Sequence, residues 1–140
     1  MGTVKTLNKW ANAHTYIPLD IIRIALGVFL FIKGTAFVTN IQSLVELVQP
    51  LKGWGGTMLL MHYIAPAHMV GGVMIAFGLL TRWSTLSQIP ILVGAVMINF
   101  VGEMQTGNFI TSIIVLMLLV FFTVYGSGKH SADYYFKMQQ

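Results

Sequence analysis

A chain of 140 residues that is 56% hydrophobic and only 9% charged is too apolar for a soluble domain of ordinary make-up, and a membrane is its natural solvent. The formal charge of +4 is spread over the ends of apolar segments rather than gathered in a run, which excludes a nucleic-acid surface and reads as membrane orientation. The chain has no cysteine, so disulfides, thiolate nucleophiles and iron–sulfur ligation are excluded, and any redox role needs a bound cofactor.

The stretch before Tyr16 carries Lys5, Lys9 and Trp10 without a short apolar core and a small-residue cleavage site, so it does not resemble a signal peptide and the first span is expected to be retained. That span is predicted over 17–39, opening with Pro18 and Asp20, which suit a first helical turn. Asp20 and Arg23, three residues apart, share a helical face and are expected to form a structural ion pair. In IQSLVELVQPL the residues Ile41, Leu44, Val45, Val48 and Leu51 fall on one face of a helix too short to span. This predicts an amphipathic helix in the interface, ended by Pro50 and the glycines 53, 55 and 56.

A second span is predicted over 57–80, carrying His62, Pro66 and His68. The TRWS stretch from Thr81 to Ser84 reads as a turn, which leads at once into a third span over 85–104. The fourth and cleanest span follows over 108–126, after a turn at Gln105 to Asn108. Four spans of about 20 residues use up the chain, so residues 1–140 form a single all-α domain, an integral membrane four-helix bundle. Both termini then lie on one side, with Lys5, Lys9, Arg82, Lys129 and Lys137 against Lys52 alone on the other, which places both termini in the cytoplasm.

Ionisable groups within spans are expensive and should face the bundle interior or water. At about 1.5 Å per residue, Lys33, His62, Asn99 and Glu103 all fall roughly 7–13 Å to the outer side of the bilayer midplane, with His68 at its centre. The expected ligand-binding set is therefore Lys33, His62, His68, Asn99 and Glu103, with Lys33 balanced by Glu103, and with quinone, lipid or a small anion as ligand. The plainer alternative is that Lys33 snorkels to the headgroups and the other polar groups bond nearby backbone. Haem does not suit the pattern, because His62 and His68 point about 240° apart on one helix. No metal cluster, nucleophile–base pair or other catalytic set is expected, and the nine methionines read as packing.

Three stretches resemble the DoxX family of small four-helix bacterial membrane proteins. RIALGVFLFIKG carries Arg23, Gly27, Lys33 and Gly34; HMVGGVMIAFGLLTR carries Gly71, Gly72, Gly78, Thr81 and Arg82; GSGKHSAD carries Gly126, Gly128, Lys129, Ser131 and Asp133. Lys33 stands where a histidine is expected, Phe37 where a lysine is frequent and His68 where an acidic residue usually sits, an exchange that could preserve a hydrogen-bonded pair between Lys33 and His68. The resemblance implies a bacterial inner-membrane location and association with quinone-linked redox systems, as an accessory subunit beside other membrane subunits or copies of itself. A ligand-free structural or assembly subunit is the second reading, and a small-solute transporter acting as an oligomer the third.

The charge asymmetry yields a first prediction. A reporter fused after Gln140 should read out as cytoplasmic, and labelling of that terminus from outside intact cells would reverse the orientation.

Overall fold

The computed structural model describes residues 2–49, 57–101 and 106–136. They form seven helices and, among the described residues, no strand: α1 (Gly2–Ala13), α2 (Ile17–Thr39), α3 (Ile41–Val48), α4 (Thr57–Phe77), α5 (Thr81–Val101), α6 (Thr106–Tyr125) and α7 (Ala132–Tyr135). Three of them are long and apolar enough to cross a membrane by length and composition, over Ile17–Thr39, Thr81–Phe100 and Thr106–Tyr125, and α4 contains a shorter apolar stretch, His62–Phe77. Pro66 and Pro90 lie inside α4 and α5, as prolines do in apolar helices whose neighbours make up for the lost bond. The amphipathic α3 sits where the alternation of apolar and polar residues predicts it. The expected turn at Pro50, Gly53, Gly55 and Gly56, together with Lys52, Glu103, Gln105 and Lys137, lies outside the described residues.

One expectation is corrected. The turn joining α4 to α5 is Gly78, Leu79 and Leu80, and TRWS is the first turn of α5. Helix α4 ends in a Schellman motif, in which Leu79 N–H donates to Met74 O at 2.7 Å and Gly78 N–H to Ile75 O at 3.1 Å. That motif requires a left-handed residue at Gly78, whose φ is +71°. Leu80 is also left-handed, at φ +45°, a conformation that costs a branched residue on the order of 1–2 kcal/mol. It persists because Asp133, fifty-three residues later, accepts from its N–H at 2.6 Å.

Packing is closest between α2 and α4. A Cβ on Gly27 would lie 2.5 Å from Gly72 O and closer still to Ala76 N, and one on Gly72 would lie 2.6 Å from both Gly27 O and Phe31 N. Gly34, two turns along α2, meets Met69 and the carbonyl of Ala65 in the same way. Helices in lipid associate through such small-residue contacts because no hydrophobic force separates a leucine side chain from a lipid tail. The main core gathers Leu26, Leu30, Ile75, Leu92, Val115, Leu119, Phe122 and Tyr125, with Ala11 of α1 against it. These positions favour the half of the bundle nearer the α4–α5 turn; Ile64, with Phe37 and Ile91, forms a small separate cluster.

Even one methyl group should therefore disturb the α2–α4 crossing. Gly72→Ala is expected to lower stability in detergent by about 1–3 kcal/mol. Gly94→Ala, where a Cβ meets nothing within 4 Å, should cost nothing. Equal melting temperatures for the two variants would show that the crossing has room.

Candidate functional site

Two groups of buried polar residues stand out. The first closes one end of the bundle, where the N-terminus of α2, the α4–α5 turn, the C-terminus of α6 and the tail meet. Arg23 is 2% exposed. Its Nη1 donates to Asp20 Oδ1 at 3.2 Å and to Ser127 O, and its Nη2 donates to His130 O at 2.9 Å. The other oxygen of Asp20 lies 2.8 Å from His130 Nδ1. Helix α6 stops at Gly126, at φ +85°, whose N–H reaches back to Phe122 O at 2.8 Å, and this left-handed cap turns the tail beneath the bundle.

The tail then returns to the α4–α5 turn. Ser131 caps α7 by accepting from Tyr134 N–H. Asp133 accepts from Leu80 N–H and, at 3.1 Å, from Thr81 N–H, while its own N–H donates to Gly78 O at 3.0 Å. A carboxylate at this point satisfies two of the orphan donors at the start of α5 and complements its dipole. One residue on, Arg82 donates to Asn8 Oδ1 of α1 at 2.8 and 3.2 Å and to Thr123 O at 3.0 Å. The Tyr125 hydroxyl lies 3.2 Å from His14 O, and Lys129 N–H donates to Thr15 Oγ1 at 3.3 Å. Both arginines are thus engaged with carbonyls and an amide oxygen of the chain itself, which makes this end a latch.

The second group lies inside the bundle, between α4 and α5. His68 is 6% exposed and Gln88 is fully buried. Gln88 Nε2 donates to Ala67 O at 2.5 Å. Gly71 has no side chain at the point where the Gln88 amide enters the α4 backbone; a Cβ there would collide with Gln88 Nε2. The Gln88 and His68 side chains adjoin each other without a well-formed hydrogen bond, so that His68 Nδ1 and Gln88 Oε1 have no partner. The Phe37 ring covers His68 at a centroid distance of 6.0 Å. Two buried polar atoms in an apolar interior that interact with each other but make no hydrogen bond of normal geometry call for an explanation, since an unmade bond there costs about 1–3 kcal/mol.

Lys33, His62 and Asn99 make no hydrogen bond to this pair among the described residues, although Lys33 is near enough to act on His68 electrostatically. Lys33 is exposed and places Nζ 5.6 Å from the centroid of the Phe29 ring on its own helix. It makes no hydrogen bond to His68 among the described residues. His62 is exposed, with Nδ1 2.8 Å from Met58 O, and Asn99 donates to Ala95 O at 2.8 Å. Each of the three is occupied within its own helix; Glu103, the expected counter-charge of Lys33, lies outside the described residues. Gln88 went unread in the sequence, although a signal was present. Thr81, Ser84, Thr85 and Gln88 recur at helical spacing in an otherwise apolar helix, and all four are buried.

Most of the residues that carry the three resembling stretches fall into two places in this architecture. Gly27, Gly34 and Gly72 make the α2–α4 crossing, while Arg23, Gly78, Thr81, Arg82, Gly126, Gly128, Ser131 and Asp133 build or line the latch. The family model described as DoxX matches residues 19–101, more than half of the chain. The chain belongs to the DoxX family. No curated protein and no solved structure matches it. The matched residues run from α2 to α5, so the tail lies beyond them, yet its Asp133 and its Ser127 and His130 carbonyls are bonded to matched residues. This DoxX protein is a membrane protein whose apolar helices suit a lipid bilayer.

The latch generates a test by double substitution. Arg23→Met leaves Asp20 buried with only His130 beside it and should destabilise the protein by about 3 kcal/mol or more in thermal unfolding. Adding Asp20→Asn should recover part of that loss, because the stranded charge is gone. Strictly additive effects would mean that the two side chains act independently.

Proposed function

We propose that this DoxX protein crosses the bacterial inner membrane four times, with both termini in the cytoplasm, as an accessory subunit of a quinone-linked redox complex in which His68 and Gln88 hold the head of a quinone or quinol. The observation that supports the ligand is the loosely matched pair of atoms, His68 Nδ1 and Gln88 Oε1, which make no hydrogen bond of normal geometry in an apolar interior. A quinone presents carbonyl oxygens, to which the Nδ1–H tautomer of His68 donates. A quinol presents hydroxyls, which donate to Gln88 Oε1. The same two side chains therefore serve both redox states, and the Phe37 ring offers an apolar face beside the head. The electron chemistry belongs to the quinone and to the partner that exchanges electrons with it; this chain binds and orients.

Four crossings are supported by the length of α4. Its 21 residues extend about 31 Å at 1.5 Å per residue, which matches a hydrocarbon core about 30 Å thick. The orientation is supported by the side on which Lys5, Lys9, Arg82 and Lys129 collect.

The test is quinone content after purification in mild detergent. The apolar pair His68→Phe with Gln88→Leu should stay close to the parent in stability, since the loss of the Gln88–Ala67 bond is offset by removal of two buried polar atoms without well-formed bonds, but should retain at least tenfold less quinone. Equal retention would move the ligand elsewhere. Absence of quinone from the parent protein, with no oxidoreductase co-purifying, would remove the accessory role.

A further inference from the structure

The latch has an outer surface of unusual charge. Of the chain's four acidic residues, Asp20 and Asp133 belong to this end, and both are buried and bonded internally. Glu46 lies on α3, beyond the far end of α2, and Glu103 lies outside the described residues. Lys5, Lys9 and Lys129 are all exposed. Among the described residues, then, this end presents cations and no carboxylate. Lys5 and Lys9 stand four apart on α1, a spacing at which like charges weaken a helix, and a helix of 12 residues is marginal without outside support. Asn8 and Ala11 fix its inner face to Arg82 and Tyr125; among the described residues no carboxylate pairs with the outer one.

The same end carries exposed rings. Trp10 is 52% exposed and stacks on His14, and Tyr134, Tyr135 and Phe136 follow in and just after α7 at 46%, 81% and 63%. Four aromatic side chains facing open water would be costly, whereas amphipathic rings beside lysines are at home in the headgroup layer.

We infer that α1 and the tail form a binding surface for anionic phospholipid headgroups, with Lys5, Lys9 and Lys129 facing the phosphates and Trp10, Tyr134, Tyr135 and Phe136 set among the upper acyl chains. An acidic protein would satisfy the lysines but leave the rings unexplained, which is why the lipid is favoured. The inference does not depend on the quinone reading, because it uses none of the same residues.

The full chain would be placed in nanodiscs of phosphatidylcholine alone and of equimolar phosphatidylcholine and phosphatidylglycerol, and amide exchange followed over Gly2–Ala13. Exchange should slow in the phosphatidylglycerol discs, and concentrated salt should erase the difference. The triple variant Lys5→Gln, Lys9→Gln and Lys129→Gln should lose it as well. Native mass spectrometry should show the variant's preference for phosphatidylglycerol falling by about fivefold for each lysine removed. None of these side chains enters the latch, so the variant should keep the parent's melting temperature in neutral detergent. Identical exchange in both bilayers would overturn the inference. So would protection of α1 by soluble polyglutamate without any preference for phosphatidylglycerol, since that outcome assigns the surface to an acidic protein.

Discussion

The carboxylate of Asp133 determines where the second half of the bundle begins. By accepting from the N–H groups of Leu80 and Thr81, it starts α5 after only three intervening residues, and it holds Leu80 in a backbone conformation that a branched side chain would otherwise avoid. The short connection keeps α4 and α5 antiparallel neighbours, and that adjacency brings Gln88 against His68. Arg82, one residue past the capped amide, then reaches Asn8 and the end of α6. Helix geometry, the interior polar pair and the docking of α1 all follow from one side chain supplied by the tail.

Hydrophobicity alone located the apolar helices, since length and composition are local properties. The amphipathic α3 and the opening of α2 at Pro18 were legible for the same reason. The α4–α5 turn was not. TRWS looks like a turn because arginine and tryptophan interrupt an apolar run, but the true stop is the left-handed Gly78, and the true start depends on a cap fifty-three residues away in the chain. Helix α1 was missed because its apolar face is narrow and its polar Asn8 is buried by a bond to Arg82. Depth along the bilayer normal groups Lys33, His62, Asn99 and Glu103 in the sequence, but it is a coordinate that ignores rotation about the helix axis. Rotation is what separates the exposed Lys33 and His62 from the buried His68.

The two polar groups differ in a way that bears on their roles. At the latch most buried polar groups bond to another segment of the chain, although Arg23 Nε and Thr81 Oγ1 make no hydrogen bond. Between α4 and α5 the glutamine is anchored by its nitrogen to Ala67 O, and it meets the histidine beside it without a hydrogen bond of normal geometry. Gly71 makes this arrangement possible, because any side chain there would expel the amide. Small residues thus do two jobs on α4, bringing α2 close on one side and admitting a polar side chain from α5 on another.

The latch also has a direction in time. Ribosomes deliver α2 to the membrane long before the tail exists, so Arg23 enters with the Ser127 and His130 carbonyls, 104 and 107 residues downstream, still to be synthesised. Until then the guanidinium has only Asp20, and the first amides of α5 have no acceptor. The bundle can insert early but reach its final packing only when the last segment emerges and folds back. A message cut short before Asp133 would yield a protein that is in the membrane yet never closed, with an arginine paired to Asp20 alone and an uncapped helix.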